Sequence, residues 1–96
     1  MNQYEIMYIL KPPDSDEVAH ASAARYNSLI TDNGGNVEKT DYWGKKRLAY
    51  EMKDLNEGYY VLITFSGNAK CVNELDRVLR IDENVLRHLI IRKWVD

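Results

Sequence analysis

Tyr59-Tyr60-Val61-Leu62-Ile63-Thr64-Phe65 is an unbroken run of aromatic, β-branched and leucine residues. Such residues favour extended backbone. Apolar side chains on both faces place the run in the middle of a sheet rather than at its rim. Just upstream, Asp54-Leu55-Asn56-Glu57-Gly58 is a turn cluster. Just downstream, Ser66-Gly67-Asn68 opens a helix predicted over residues 69–80, with Val72, Leu75, Val78 and Leu79 on its apolar stripe. Arg77 and Arg80 suit the negative end of that helix dipole. Ile81-Asp82-Glu83-Asn84 then leads into a last strand, Val85 to Val95. Here Leu86, Leu89, Ile90 and Ile91 interleave with Arg87, His88, Arg92 and Lys93.

Towards the N-terminus, Val37 to Tyr42 reads as another strand. Gly44 marks a bend or bulge, and Leu48 to Met52 continues extended, so this arm is either long or broken in two. Tyr4, Ile6, Tyr8 and Leu10 alternate with Glu5, Met7 and Ile9, giving a first strand with one strongly apolar face and one mixed face. Lys11-Pro12-Pro13 stops it, since proline cannot donate to a ladder. Asp14 is the expected N-cap of a helix over residues 15–32, with Glu17 placed to reach back. Its stripe is Val18, Ala19, Ala23, Tyr26, Leu29 and Ile30, and Asn33-Gly34-Gly35 ends it.

The order is βαββαβ. Two right-handed split crossovers give an α+β, ferredoxin-like sandwich: a four-stranded antiparallel sheet in the order 4-1-3-2 with both helices on one face. Residues 1–96 form one domain. The central strands, first and third, are the most apolar. The second and fourth are edges and carry the cations, which also discourages edge-to-edge aggregation.

The formal net charge of −2 conceals a segregated pattern. Residues 1–38 carry −4, residues 39–53 carry +3, residues 54–76 carry −3 and residues 77–96 carry +2. A slightly acidic total argues against a nonspecific nucleic-acid coat, whereas two basic segments on an acidic body argue for a local site. Within the first basic segment, Trp43-Gly44-Lys45-Lys46-Arg47-Leu48-Ala49-Tyr50 sets three cations between aromatics. Cations neutralise phosphates and aromatics stack on unpaired bases, so this segment is the leading RNA-binding candidate. Lys45, Lys46 and Arg47 are its phosphate contacts, and Trp43 and Tyr50 its candidate base-stacking or partner-contact residues. Arg80, Arg87, Arg92 and Lys93 form a second group of candidate RNA-binding residues near the opposite sheet edge, where Trp94 is a candidate base-stacking or partner contact, and one of the two basic groups is open to a partner protein instead.

Other chemistries find little support. Cys71 is the single cysteine, so no intrachain disulfide forms, and a reducing compartment fits. One cysteine and two distant histidines make no metal or iron–sulfur site. His20 falls off the apolar stripe as a surface histidine, and His88 in an edge strand reads as a packing or RNA-facing residue. Cys71 near a helix start reads as a half-buried structural thiol. No catalytic residue, cofactor or small-molecule substrate is expected. No apolar run approaches the roughly 20 residues that span a bilayer, and the start of the chain lacks signal-peptide character, so a cytoplasmic protein is expected. The RNA-recognition motif is matched at Gly58 and Tyr59 but fails at Glu57, Tyr60, Val61 and Thr64. RNA contact is therefore expected away from the open sheet face that such domains use. Two rivals are a ligand-sensing module with a glycine-lined site between a helix and a strand, and a small phosphatase with an anion-binding loop.

The Trp43–Tyr50 segment resembles the signature of the bacterial small-subunit ribosomal protein S-six family. Tyr4-Glu5-Ile6-Met7-Tyr8-Ile9-Leu10, Gly35-Asn36-Val37-Glu38-Lys39 and Leu79-Arg80-Ile81-Asp82-Glu83-Asn84-Val85-Leu86-Arg87 agree with that family in place and spacing. The chain departs from it at Glu51-Met52, where members commonly have proline and isoleucine. The resemblance implies a structural, non-catalytic ribosomal protein. Such a protein binds the central domain of small-subunit ribosomal RNA together with the neighbouring ribosomal protein S-eighteen. A net-acidic chain is a poor lone RNA binder, and a basic partner would supply the missing charge.

Overall fold

The structure is a computed structural model. It describes residues 2–11, 16–52 and 55–93, without the side chains of residues 49–52 and 55. The elements are β1 (Asn2–Leu10), α1 (Asp16–Asp32), β2 (Asn36–Met52), β3 (Leu55–Gly67), α2 (Ala69–Ile81) and β4 (Val85–Lys93). The sheet runs β2-β3-β1-β4 with every pair antiparallel, which is the order the sequence predicts read from the other edge. The expected Asp14 cap, the Tyr50 side chain and Trp94 lie outside what is described.

Burial identifies the covered face of the sheet. Ile6, Tyr8 and Leu10 on β1 and Tyr59, Val61, Ile63 and Phe65 on β3 pack against Ala19, Ala23, Tyr26 and Ile30 of α1 and Cys71, Leu75 and Leu79 of α2. Removing such large apolar side chains from water is the main stabilising term. Tyr8 enters this layer whole, with its hydroxyl 2.9 Å from Ser22 Oγ. Burial pushes its phenol up to about 12, so it stays a neutral hydrogen-bonding group.

Three expectations need correction. Val18, placed on the α1 stripe, is exposed, because it lies one residue around the helix from Ala19, on a flank shared with Ser22 and Arg25. Cys71 is fully buried rather than half-buried, and it joins Leu75 and Leu79 as the centre of the α2 stripe. The turn cluster is shorter than expected, since residues 55–58 already belong to β3, and the second arm, read as either long or broken, is one 17-residue strand. Gly44, at φ 83°, forms a bulge, and the pairing with β3 shifts register between Tyr42 and Gly44.

α1 ends in a Schellman arrangement. Gly34 takes φ 84° and its N–H donates to Thr31 O, while Gly35 N–H donates to Ile30 O at 2.8 Å. The paired glycines serve different needs. Gly34 supplies the left-handed turn, whereas at Gly35 a Cβ would come within 2.7 Å of Ile30 Cγ2 and 2.9 Å of Ser66 O. α2 starts on Asn68, whose side-chain oxygen accepts from Cys71 N–H at 3.1 Å.

No helix among the described residues covers the other face of the sheet. The register places Gln3, Glu5, Met7 and Ile9 there, flanked by Ser66, Thr64, Leu62 and Tyr60 on one side and by Lys93, Ile91, Leu89 and Arg87 on the other. Ile9 and Leu48 are nonetheless buried. They close over Gly58, where a Cβ would lie 2.3 Å from Ile9 Cγ2 and 3.5 Å from Leu48 Cδ2. This is a small apolar cluster separate from the main core.

Candidate functional site

Lys45, Lys46 and Arg47 pair in register with Tyr59, Gly58 and Glu57 on the β2–β3 arm. Consecutive residues of a strand point to opposite faces. The three cations therefore divide: Lys45 shares the face of buried Tyr59, as does Arg47, and Lys46 projects on the open face. On the helix side, Tyr42 stacks on His20 of α1 with ring centroids 4.1 Å apart, which gives the surface histidine a packing role. On the open side, Trp43 lies beside Tyr60, with centroids 6.5 Å apart and planes inclined by 13°. The Lys46 ammonium sits 5.4 Å from the centroid of the Trp43 ring. Lys45, Lys46 and Arg47 make no ion pair among the described residues, whereas Arg25, Lys39, Arg77 and Arg80 each have a carboxylate partner.

The second basic group is dispersed around the opposite edge. Arg87 and Lys93 lie on the open face of β4, opposite Ile9 and Gln3. Arg92 lies on the covered side, where its Nη2 donates to Asn2 Oδ1 at 2.9 Å. Arg80 is on α2, tied to Asp76. Asp76 also meets His88 Nε2 at 2.8 Å, joining α2 to β4. The hydrogen bond from His88, followed by that from Arg80, holds the Asp76 carboxyl below the usual range. The His88 ring is thus tied to α2.

Between the two edges, the open face carries a shallow depression of about 280 Å³ lined by Met7, Ile9, Tyr60, Arg87, His88 and Leu89. Exposed Leu89 and Ile91 extend its apolar surface towards β4. The ligand-sensor reading places its site between a helix and a strand, with glycine in the wall. This depression lies on the sheet, and neither Gly34 nor Gly35 lines it.

Asp82, in the connector between α2 and β4, is a structural hub. It caps the C-terminus of α2 and accepts from Tyr26 Oη at 2.6 Å, from Asn84 N–H at 2.9 Å and from Arg25. Partial burial raises its carboxyl, but the bonds from Tyr26, Asn84 and Arg25 together outweigh burial and hold it below the usual range. Burial raises the Cys71 thiol, which makes it a poor nucleophile despite its place near a helix start. No group of three or more histidine, cysteine, aspartate or glutamate side chains suited to a metal occurs among the described residues. No helix there is long and apolar enough to cross a membrane.

Tyr60 is the member of the Trp43 cluster that sequence reasoning missed. Alternation shows that Tyr59 and Tyr60 face opposite ways, but the bulge at Gly44 decides which ring Trp43 meets, and a bulge changes the parity of a strand without changing its composition.

The sequence model of one family, Ribosomal protein S6, matches residues 3–92 of the chain. Among solved structures, the fold is similar to the crystal structure of 30S ribosomal protein S6 from Thermotoga maritima. The two share 28% sequence identity with a TM-score of 0.88, and the match covers 96% of this chain and 87% of that one.

Proposed function

Because this chain belongs to the ribosomal protein S6 family, we propose that it is a non-catalytic, cytoplasmic constituent of the small ribosomal subunit that binds the central domain of its RNA jointly with ribosomal protein S-eighteen. The family match over residues 3–92 carries this reading. The surface supports it in two ways. Lys45, Lys46 and Arg47 offer charge that no carboxylate among the described residues engages, on an edge strand that RNA can approach. The apolar half of the open face near β4, with exposed Leu89 and Ile91, suits a protein partner. The acidic remainder of the chain favours a basic partner, which in turn brings cations to the RNA.

The test is binding to a central-domain ribosomal RNA fragment, with and without S-eighteen, over a range of salt. Tight, salt-sensitive binding is expected only with both proteins present. Replacing Lys45, Lys46 and Arg47 by alanine should weaken it and flatten the dependence of log K on log salt by about 2–3, at roughly 0.7–0.9 per lost phosphate contact. A folded protein that binds the fragment in neither condition would sink the reading.

A further inference from the structure

We propose that Trp43 and Tyr60 form a stacking platform for one unpaired RNA base, with Lys46 taking the adjoining phosphate; this rests on the RNA-binding reading above. Trp43 is the largest exposed apolar side chain among the described residues, with 47% of its surface open. The bulge at Gly44 puts it on the open face beside Tyr60. The two rings are nearly parallel, so they offer one orientation to a flat partner. A nucleobase stacks on such rings whatever its identity, but only when it has left its own helical stack.

Charge separates RNA from a protein partner here. Lys46 rests on the Trp43 ring and not on a carboxylate, so a phosphate entering the site displaces no anion among the described residues. Lys45 and Arg47 flank it on the other face of the same strand. Residues 39–53 carry +3, the most basic of the four segments, which favours a polyanion. The platform lies on the open sheet face, where the failed third-strand motif gave no reason to expect RNA, but it is built differently from that of an RNA-recognition motif. One ring comes from a bulge in the edge strand β2, which is why the third-strand motif gives no sign of it.

The chain has two tryptophans, so Trp94→Phe leaves Trp43 as the only one. This variant is titrated first with S-eighteen and then with the central-domain RNA fragment, with Trp43 fluorescence as the readout. The expected result is quenching on RNA addition, and an ultraviolet cross-link joining Trp43 or Tyr60 to a nucleotide that is unpaired in the free fragment. Trp43→Leu and Tyr60→Leu should each lower affinity for the RNA about tenfold. Trp43→Phe should restore most of the loss, and pairing with S-eighteen should be unchanged. Circular dichroism checks that each variant is folded. A fluorescence change completed on adding S-eighteen, with none on adding RNA, would mark a protein contact and overturn the platform. So would full RNA affinity in folded Trp43→Leu, and in both cases joint RNA binding would stand. Failure of the unaltered pair of proteins to bind the fragment would overturn the parent reading instead.

Discussion

At the level of single residues, Asp82 carries more of the fold than its place in a turn implies. It gathers a phenol from α1, a guanidinium from the same helix and a backbone N–H from its own turn. Hydrogen bonds to a charged group contribute about 1.5–3 kcal/mol. Asp82→Asn should therefore lower stability at neutral pH by about that much, read from urea unfolding. The pH dependence has a definite sign. The folded carboxyl lies below its unfolded value of about 3.9. Its contribution is complete above that value and is lost as pH falls through the lowered one. Asp82→Asn should thus cost most at neutral pH and nearly nothing in strong acid; an equal cost at both would contradict the role given to the carboxylate. Cys71 supplies a second test. It is fully buried and its thiol is raised by that burial. A thiol-reactive disulfide reagent should label it at the rate of unfolding, and rapid labelling of the folded protein would show the α2 stripe to be open.

At the level of elements, β2 is the strand on which the proposed RNA contact turns. Its bulge depends on Gly44 at φ 83°, yet a Cβ there would meet nothing within 4 Å. Gly44→Ala should cost only the strain of a left-handed alanine, about 1–2 kcal/mol. Gly58 presents the opposite case. Its conformation is ordinary, but Ile9 and Leu48 fill the space a side chain would need. Gly58→Ala should cost about 1–3 kcal/mol through overpacking, with Ile9 and Leu48 displaced. Methyl NMR shifts at Ile9 and Leu48 in Gly58→Ala, and their absence in Gly44→Ala, would separate the two causes. These elements also show what the sequence discloses. The runs Tyr4–Leu10 and Tyr59–Phe65 announce the central strands, because burial between two edges demands near-continuous apolar character. The glycine pair and the Asn68 cap announce the helix ends, because local backbone chemistry sets them. The Asp82 hub and the Trp43–Tyr60 pair stay hidden. Tyr26 and Asp82 are 56 residues apart, and the register of a bulged strand is set by packing that no local pattern encodes.

At the level of the whole molecule, two basic edges border a face that no helix among the described residues covers, and its middle is apolar at the end formed by Met7, Ile9, Tyr60 and Leu62. The three cations of β2 are divided between two faces, so they are better placed to grip RNA passing along the sheet edge than to coat a flat surface. Arg80, Arg87, Arg92 and Lys93 are spread over α2 and both sides of β4, with Arg80 held by Asp76 and Arg92 bonded to Asn2. We therefore propose that the main phosphate contacts lie on the β2 edge. Alanine at Lys46 should weaken RNA binding more than alanine at Arg80, in salt titrations of the joint complex with S-eighteen. The most direct measurement of the central claim is sedimentation of the tagged protein from cell extract through a sucrose gradient. The protein should co-migrate with the small ribosomal subunit through repeated gradients, and not with free large subunits. Recovery only at the top of the gradient, as free protein, would contradict that claim.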